Sequence, residues 1–416
     1  MLTKSGPELV RQQNCALVLS ALRRFGPLSH TDISARTGLA SATVSAITAD
    51  LEKVNVIGRM EQQPQGGRGR PRVLFRQRRD GGFLIAVRIS SDMVQYSLVD
   101  YAGTLIDRFE EARNHAISGT AHFSAGLRAA LSRIAARSGV APEKVLAISI
   151  SSKGTVDPDG RCLIWSPVFG RERIDFVELL SLDWQAKVTV SNETLLVAQA
   201  LGQKADRAAD ETAAGAGPRF RGLVALSLGH SIGLGIARKD RAGALEVTAP
   251  NFGHMLHRAE AGLCRCGAIG CVEAAAGFYG ILRTAFEVPP DTIPAKFVPL
   301  AEMDKIAASA RAGHRMAGYA FRQAGLALGQ GLSRVLSLYD PMPVVVTGQG
   351  TRYFDLLQRG LDEGLAQSHQ VRLYGPPAIS VVLDEQRLVF EGHLDRVLTE
   401  MDQDVAALRA PAGETE

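Results

Sequence analysis

The chain changes character at Gly82, and that break constrains its fold more than any other feature of the 416 residues. Before it, apolar residues recur at helical spacing between short polar turns. After it, β-rich runs alternate with helical ones. Charge follows the same break. Residues 1–82 hold 13 Lys and Arg against 6 Asp and Glu, a net +7; the remainder holds 34 against 37, a net −3. The overall +4 therefore conceals a basic module joined to a near-neutral body. Hydrophobic residues at 46% and charged residues at 22% suit buried cores and exclude global disorder. Aromatics at 6% do not favour an aromatic-rich stacking surface. No apolar run approaches the ~18 residues of a membrane-spanning helix, and the N-terminus lacks a signal-peptide core. The expectation is a soluble cytoplasmic protein.

Cys15, Val18, Leu22 and Phe25 give a first amphipathic helix, ended by Gly26-Pro27. Ser29 with Asp32 three residues on reads as a capping box opening a short second helix, stopped by Gly38. Ser41 is expected to cap a third helix whose apolar stripe is Val44, Ile47, Leu51 and Val54. That helix presents Ser41, Ala42, Thr43, Ser45 and Thr48, small residues suited to close entry into a major groove. Gly66-Gly67-Arg68-Gly69-Arg70-Pro71-Arg72 lies between two β-rich stretches and reads as the tip of a wing. Arg68, Arg70 and Arg72 are expected on phosphates or in a minor groove. Residues 1–81 thus read as a winged helix-turn-helix that binds double-stranded DNA. The plain alternative is a helical bundle that binds protein.

In the body, strands are expected at Phe83–Ile89, Val94–Val99, Thr104–Glu110, Val145–Ile150, Val188–Val190, Leu223–Leu228 and Pro343–Thr347, with crossover helices between them. That alternation is α/β. Residues 203–221, rich in Ala, Gly and Asp, are expected to form an exposed loop. Three of the five cysteines fall within eight residues: Cys264, Cys266 and Cys271. Such clustering is not a disulfide framework. With His254 they make a three-thiolate, one-imidazole set, the closed tetrahedral complement of structural zinc. Gly267 and Gly270 allow the tight turns that converge the sulfurs. Free thiols or a disulfide are the alternatives, although cysteines one residue apart rarely bridge. His257 is a weaker alternative ligand.

The stretch Gly253-His254, then Cys264-Arg265-Cys266-Gly267-Ala268-Ile269-Gly270-Cys271-Val272-Glu273, resembles the signature of the ROK family of repressors and sugar kinases. The resemblance covers nearly the whole chain. It implies two lobes of an actin-like sugar-kinase fold behind a winged helix-turn-helix, with lobes at 82–196 and 197–389 and a C-terminal helix at about 390–408 packing back on the first. It also implies structural zinc and a homodimer formed through the second lobe. The family kinases carry a glycine-rich phosphate loop after the first strand. Here that stretch is Arg88-Ile89-Ser90-Ser91-Asp92, with Arg88 where the family has aspartate. The second phosphate loop is altered at two positions in Gly229–Gly235, and the catalytic aspartate is replaced by Glu193 after Asn192. Three departures together argue that phosphoryl transfer is lost.

The sugar-holding positions of the family fall on Asn192, Glu193, Asn251, His254 and Glu273, with Gly154 and Ser166 in loops lining the same cleft. Asn251 stands where the family has glutamate, which changes an acceptor into a donor and acceptor. The resemblance therefore implies a regulator, expected to be a repressor of carbohydrate uptake or catabolism genes, with a sugar or sugar derivative as effector. The alternatives are an ATP-dependent sugar kinase, or a repressor controlled by a protein partner with a vestigial pocket.

Overall fold

A computed structural model of the chain describes residues 6–61, 73–113, 120–212, 220–241 and 243–407. The N-terminal unit contains α1 (Pro7–Phe25), α2 (His30–Thr37) and α3 (Ser41–Lys53), then an antiparallel ribbon of β1 (Ile57–Glu61) and β2 (Val73–Gln77). The capping box closes α2 as the sequence predicts, with Ser29 and Asp32 exchanging side-chain-to-backbone bonds. Gly38 ends α2 in the left-handed region at φ 72°. The cap of α3 differs from expectation. Ala40 is the capping residue and makes no side-chain bond, while Ser41 is already helical. Arg68, Arg70 and Arg72 lie outside the described residues.

Two five-stranded sheets follow. The first contains β3 (Phe83–Ile89), β4 (Met93–Asp100) and β5 (Leu105–Ala112) as an antiparallel meander. After the helix α4 (Thr120–Arg137), β6 (Val145–Ser152) returns parallel to β3, and strand Lys187–Asn192 pairs parallel with β6. The second sheet repeats this plan. Gly222–Ser227, Gly233–Lys239 and Leu245–Thr248 form the meander; Val344–Thr347 and then Ile379–Val381 add in parallel on the other side. In both sheets the strand order is third, second, first, fourth, fifth. Two copies of one topology, each carrying its own helices, make the two lobes of the sugar-kinase architecture.

Helix Glu193–Thr212 leaves the first sheet and packs on the second. It runs ten residues into the stretch expected to be loop. Ion pairs Arg207–Asp395 (2.9 Å) and Lys204–Glu391 tie its polar end to the C-terminal helix Glu385–Ala407. That last helix also starts earlier than expected, at Glu385 rather than about 390. Gly392 makes the approach of these two helices possible, since a Cβ there would lie 2.2 Å from the Leu196 carbonyl oxygen.

The C-terminal helix then reaches the N-terminal unit. Val397, Leu398 and Met401 join Val18, Leu19, Leu22 and Phe75 in one buried cluster with Leu84 and Val99 of the first sheet. Arg23 of α1 forms two bonds to the buried Asp402 carboxylate (2.6 and 2.8 Å), and the Tyr101 hydroxyl donates to the same group (2.8 Å). The N-terminal unit is thus packed on the body rather than tethered beside it. No helix among the described residues is long and apolar enough to cross a membrane.

Candidate functional site

Backbone turns at Gly267 (φ 93°) and Gly270 (φ 86°) fold the cysteine loop back on itself. They bring His254, Cys264, Cys266 and Cys271 together, with one donor atom from each lying within 4.8 Å of all the others. His254 Nδ1 lies 3.6 Å from Cys264 Sγ, and Cys266 Sγ lies 3.7 Å from Cys271 Sγ. The buried Tyr279 hydroxyl donates to Cys264 Sγ at 3.4 Å, an outer contact of the kind that orients a metal ligand. Burial pushes the Cys264 thiol up to about 11, so without a cation the thiolates are disfavoured. A set of three sulfurs and one imidazole in this geometry, with Cys264 and Cys271 buried and His254 and Cys266 half-buried, fits a tetrahedral divalent metal. His257 stands outside the cluster, and its Nδ1 is buried without a partner.

His254 also forms part of the wall between the lobes. Its ring meets Trp165 edge-on, with centroids 4.8 Å apart. The adjoining cleft is a small cavity of about 40 Å³, lined by Gly154, Asn192, Asn251, His254 and Glu273 among others. These are five of the seven residues expected there. Asn192 is held in place: its Nδ2 donates to the Gly154 carbonyl (2.6 Å), and its Oδ1 accepts from the Thr194 amide (2.8 Å) and hydroxyl (2.6 Å). Glu273 is buried and its Oε2 accepts from the Ile232 amide (3.3 Å), but its Oε1 has no partner. Ser231 Oγ, on the same wall, is also buried and unpaired. Burial raises the Glu273 carboxyl above its ordinary value.

Two expected residues lie elsewhere. The Ser166 hydroxyl is buried and accepts from the Val168 and Phe169 amides (3.2 and 3.0 Å), so it shapes its own turn. Glu193 does not line the cleft. It is fully buried, and Arg88 Nε donates to its Oε1 at 2.9 Å. Arg88 also approaches Glu385 (3.5 Å), as does Lys153 (3.7 Å), and the Ser227 hydroxyl donates to Glu385. Burial alone would raise the Glu385 carboxyl; Lys153 and Arg88 outweigh it and hold it low. Two cations thus neutralise two carboxylates where the family kinases carry a phosphate loop and a catalytic base. Ser231 and Lys153 also line the cleft and were not expected there, because only the tertiary fold brings their loops against Asn192 and Glu273.

On the N-terminal unit, Ser41, Ala42 and Ser45 are exposed on α3 and Thr43 is half-buried. Thr48 is not on that face. It is 1% exposed and bonded to the Val44 carbonyl (2.9 Å) and to His30 Nε2 (2.8 Å). Four residues after Val44 and three before Leu51, it shares their inward side.

Fold and site together define a two-lobed, sugar-kinase-like body with a winged helix-turn-helix packed on it. The chain belongs to the ROK family, whose sequence profile matches residues 85–382. It is 24% identical over 402 residues to a xylose repressor from Caldicellulosiruptor bescii, covering 94% of this chain and 97% of that one. It is 23% identical to the DNA-binding transcriptional dual regulator NagC of Escherichia coli, covering 83% and 82%. A crystal structure of a ROK family transcriptional regulator, a homologue of the Escherichia coli Mlc protein, aligns with a TM-score of 0.69 at 20% identity. It covers 96% of this chain and 98% of that one. A ROK glucokinase from Streptomyces griseus, solved with glucose and AMPPNP, aligns at 0.52 and 22% identity, covering 76% of this chain and 100% of its own. These structural likenesses share the fold.

Proposed function

We propose that this chain is a DNA-binding transcriptional regulator, a repressor of carbohydrate uptake or catabolism genes, whose DNA binding responds to a sugar or sugar derivative between its lobes. One observation carries the reading. On the sugar side of the cleft, buried polar atoms of Glu273 and Ser231 are unpaired, while on the phosphoryl side, which keeps a cavity of about 210 Å³, Arg88 and Lys153 are engaged by Glu193 and Glu385. Hydroxyls of a polyol are the partners that Glu273 Oε1 and Ser231 Oγ lack. Gly154, Asn192, Asn251 and His254 complete the wall, and Asn192 keeps one amide hydrogen for the ligand. Arg88 occupies the Glu193 carboxylate, so no free base is positioned to activate a sugar hydroxyl. In this reading the chain binds sugar without phosphorylating it.

In the same reading, His254, Cys264, Cys266 and Cys271 hold a structural zinc ion, which when bound supplies rigidity to the loop beside the cleft. Ser41, Ala42, Thr43 and Ser45 meet the major groove; Arg68, Arg70 and Arg72 belong to the wing. Two copies pair through their second lobes and face two half-sites of a palindromic operator. The C-terminal helix carries the signal. Glu385 at its start touches residues of both lobes, and Asp402 near its end is bonded to α1. An effector that favours one lobe arrangement shifts the wings only if it binds that arrangement more tightly.

Genomic footprinting of sites bound by the full chain, with a thermal-shift screen of monosaccharides and their derivatives, tests the proposal. The expected result is paired half-sites near sugar genes and release by the matching sugar. Robust ATP consumption with any sugar of the panel would overturn it in favour of the kinase.

A further inference from the structure

The cleft cavity of about 40 Å³ has room for little more than water. Beside it lies a chamber of about 580 Å³, within the ~300–1,000 Å³ range of small-molecule sites. The two spaces share a wall, since Trp165 and Pro167 line both. The chamber's chemistry differs from that of the cleft. Aromatic residues make up only 6% of the chain, yet Tyr96, Phe123, Trp165 and Phe169 all line this one chamber. Phe123 and Phe169 meet edge to face at 4.7 Å, and the Arg113 guanidinium lies 4.9 Å from the Phe169 ring centre. Such a surface holds a flat ring by offset or edge stacking. The opposite wall includes Leu263 and Cys264 of the metal-binding loop. An occupant there touches both lobes.

We infer that the effector is an aryl glycoside, with its aromatic group in the chamber and its sugar turned past Trp165 toward Glu273 and Ser231, in a cleft that widens to admit the ring as the lobes part. The inference rests on the sugar-responsive reading and names the ligand class of that site. Most of the ligand's contact comes from the preformed chamber, while the sugar supplies the polar recognition that the narrow cleft provides. Because Trp165 also abuts His254, the same ligand contacts the wall that holds the metal loop.

Calorimetry on the full chain with matched methyl and phenyl glycosides of glucose, galactose, xylose and N-acetylglucosamine tests it. The expected result is a phenyl glycoside that binds at least tenfold more tightly than its methyl counterpart. Gly126 lines the chamber on α4, and a Cβ there meets nothing within 4 Å. The backbone thus leaves space for a side chain to start there, so Gly126→Leu narrows the chamber, and is expected to abolish the phenyl advantage while leaving methyl glycoside affinity and metal content unchanged. Equal methyl and phenyl affinities overturn the inference. So does a phenyl advantage that survives Gly126→Leu, or phenol alone binding as tightly as its glycoside. If methyl glycosides bind without any phenyl advantage, the sugar-responsive reading stands and only the aryl assignment falls. If no glycoside binds, both fall.

Discussion

The two ends of the interlobe cleft contain similar residues in opposite states. At the phosphoryl end, Arg88 and Lys153 are matched to Glu193 and Glu385, and the Ser227 hydroxyl completes the set. At the sugar end, Glu273 is equally buried but keeps one oxygen unpaired, as does Ser231. A buried carboxylate without a partner is costly and persists only where something else satisfies it. A buried carboxylate paired with arginine has its charge matched within the chain and is a weaker base for a substrate hydroxyl. On the proposed reading, the difference separates a half of the cleft tied up in the chain's own ion pairs from a half whose polar atoms are open to a ligand. It also predicts that equivalent damage will have opposite consequences at the two ends.

The largest expected effect lies at the metal loop bordering the sugar end. Cys271→Ser should abolish stoichiometric zinc in the purified protein, read by metal analysis. It should also destabilise the second lobe at the upper end of single-residue effects, about 4–5 kcal/mol. Wild-type protein that is metal-free and equally stable would break the assignment. Next comes the phosphoryl end. Arg88→Ala leaves Glu193 as an uncompensated buried charge, for an expected loss of roughly 3–5 kcal/mol in chemical denaturation. The paired removal, Arg88→Met with Glu193→Gln, should recover most of that loss. ATP turnover appearing in either variant would contradict the structural role.

How much of this was legible in the sequence depends on distance along the chain. The capping box at Ser29 and Asp32, the Gly38 stop and the four clustered donors are local patterns, and local geometry dictates them. Thr48 was misassigned although the signal was available. Its spacing from Val44 and Leu51 places it inward, and only its hydroxyl suggested otherwise. Residues 203–212 looked like a loop because they are polar, yet Ala, Lys and Arg are good helix formers. Their tertiary ion pairs to the C-terminal helix supply what an apolar face would have. The Arg88–Glu193 pair spans 105 residues, so no local pattern reports it. The clue was an arginine inside the apolar strand Phe83–Ile89, which requires a buried partner from somewhere. The repeat of strand order between the lobes leaves no trace in residue spacing, because topology is conserved by packing rather than by motif.

At the sugar end the expected sign reverses. Glu273→Gln removes a buried, half-paired carboxyl whose protonation burial already favours. Stability should be unchanged or slightly higher, while effector-dependent release from DNA is lost. Thermal melts and DNA-binding titrations with and without ligand separate these outcomes. A large loss of stability would show that Glu273 is structural, and the contrast between the two ends would collapse.

At neutral pH the mildest expected effect concerns the helix that links those ends to the DNA-binding unit. His393 lies midway along it, fully buried, with one ring nitrogen 2.7 Å from the Ser149 hydroxyl and the other 3.0 Å from that of Ser151. Burial, reinforced by Arg88 and Arg396, lowers its pKa to about 3, against 6.5 for the free side chain. The unfolded chain therefore takes up a proton below about pH 6.5 that the folded chain refuses. Stability is fully present above that pH and declines as pH falls toward 3, by about 1.4 kcal/mol per pH unit from this residue. His393→Gln should lower stability at neutral pH yet flatten the dependence over that window by about one proton, measured by denaturation at successive pH values. The slope, not the absolute stability, carries the test, because a merely space-filling histidine would leave the slope unchanged. A flattened slope would establish that the helix is anchored to the first lobe by a neutral imidazole.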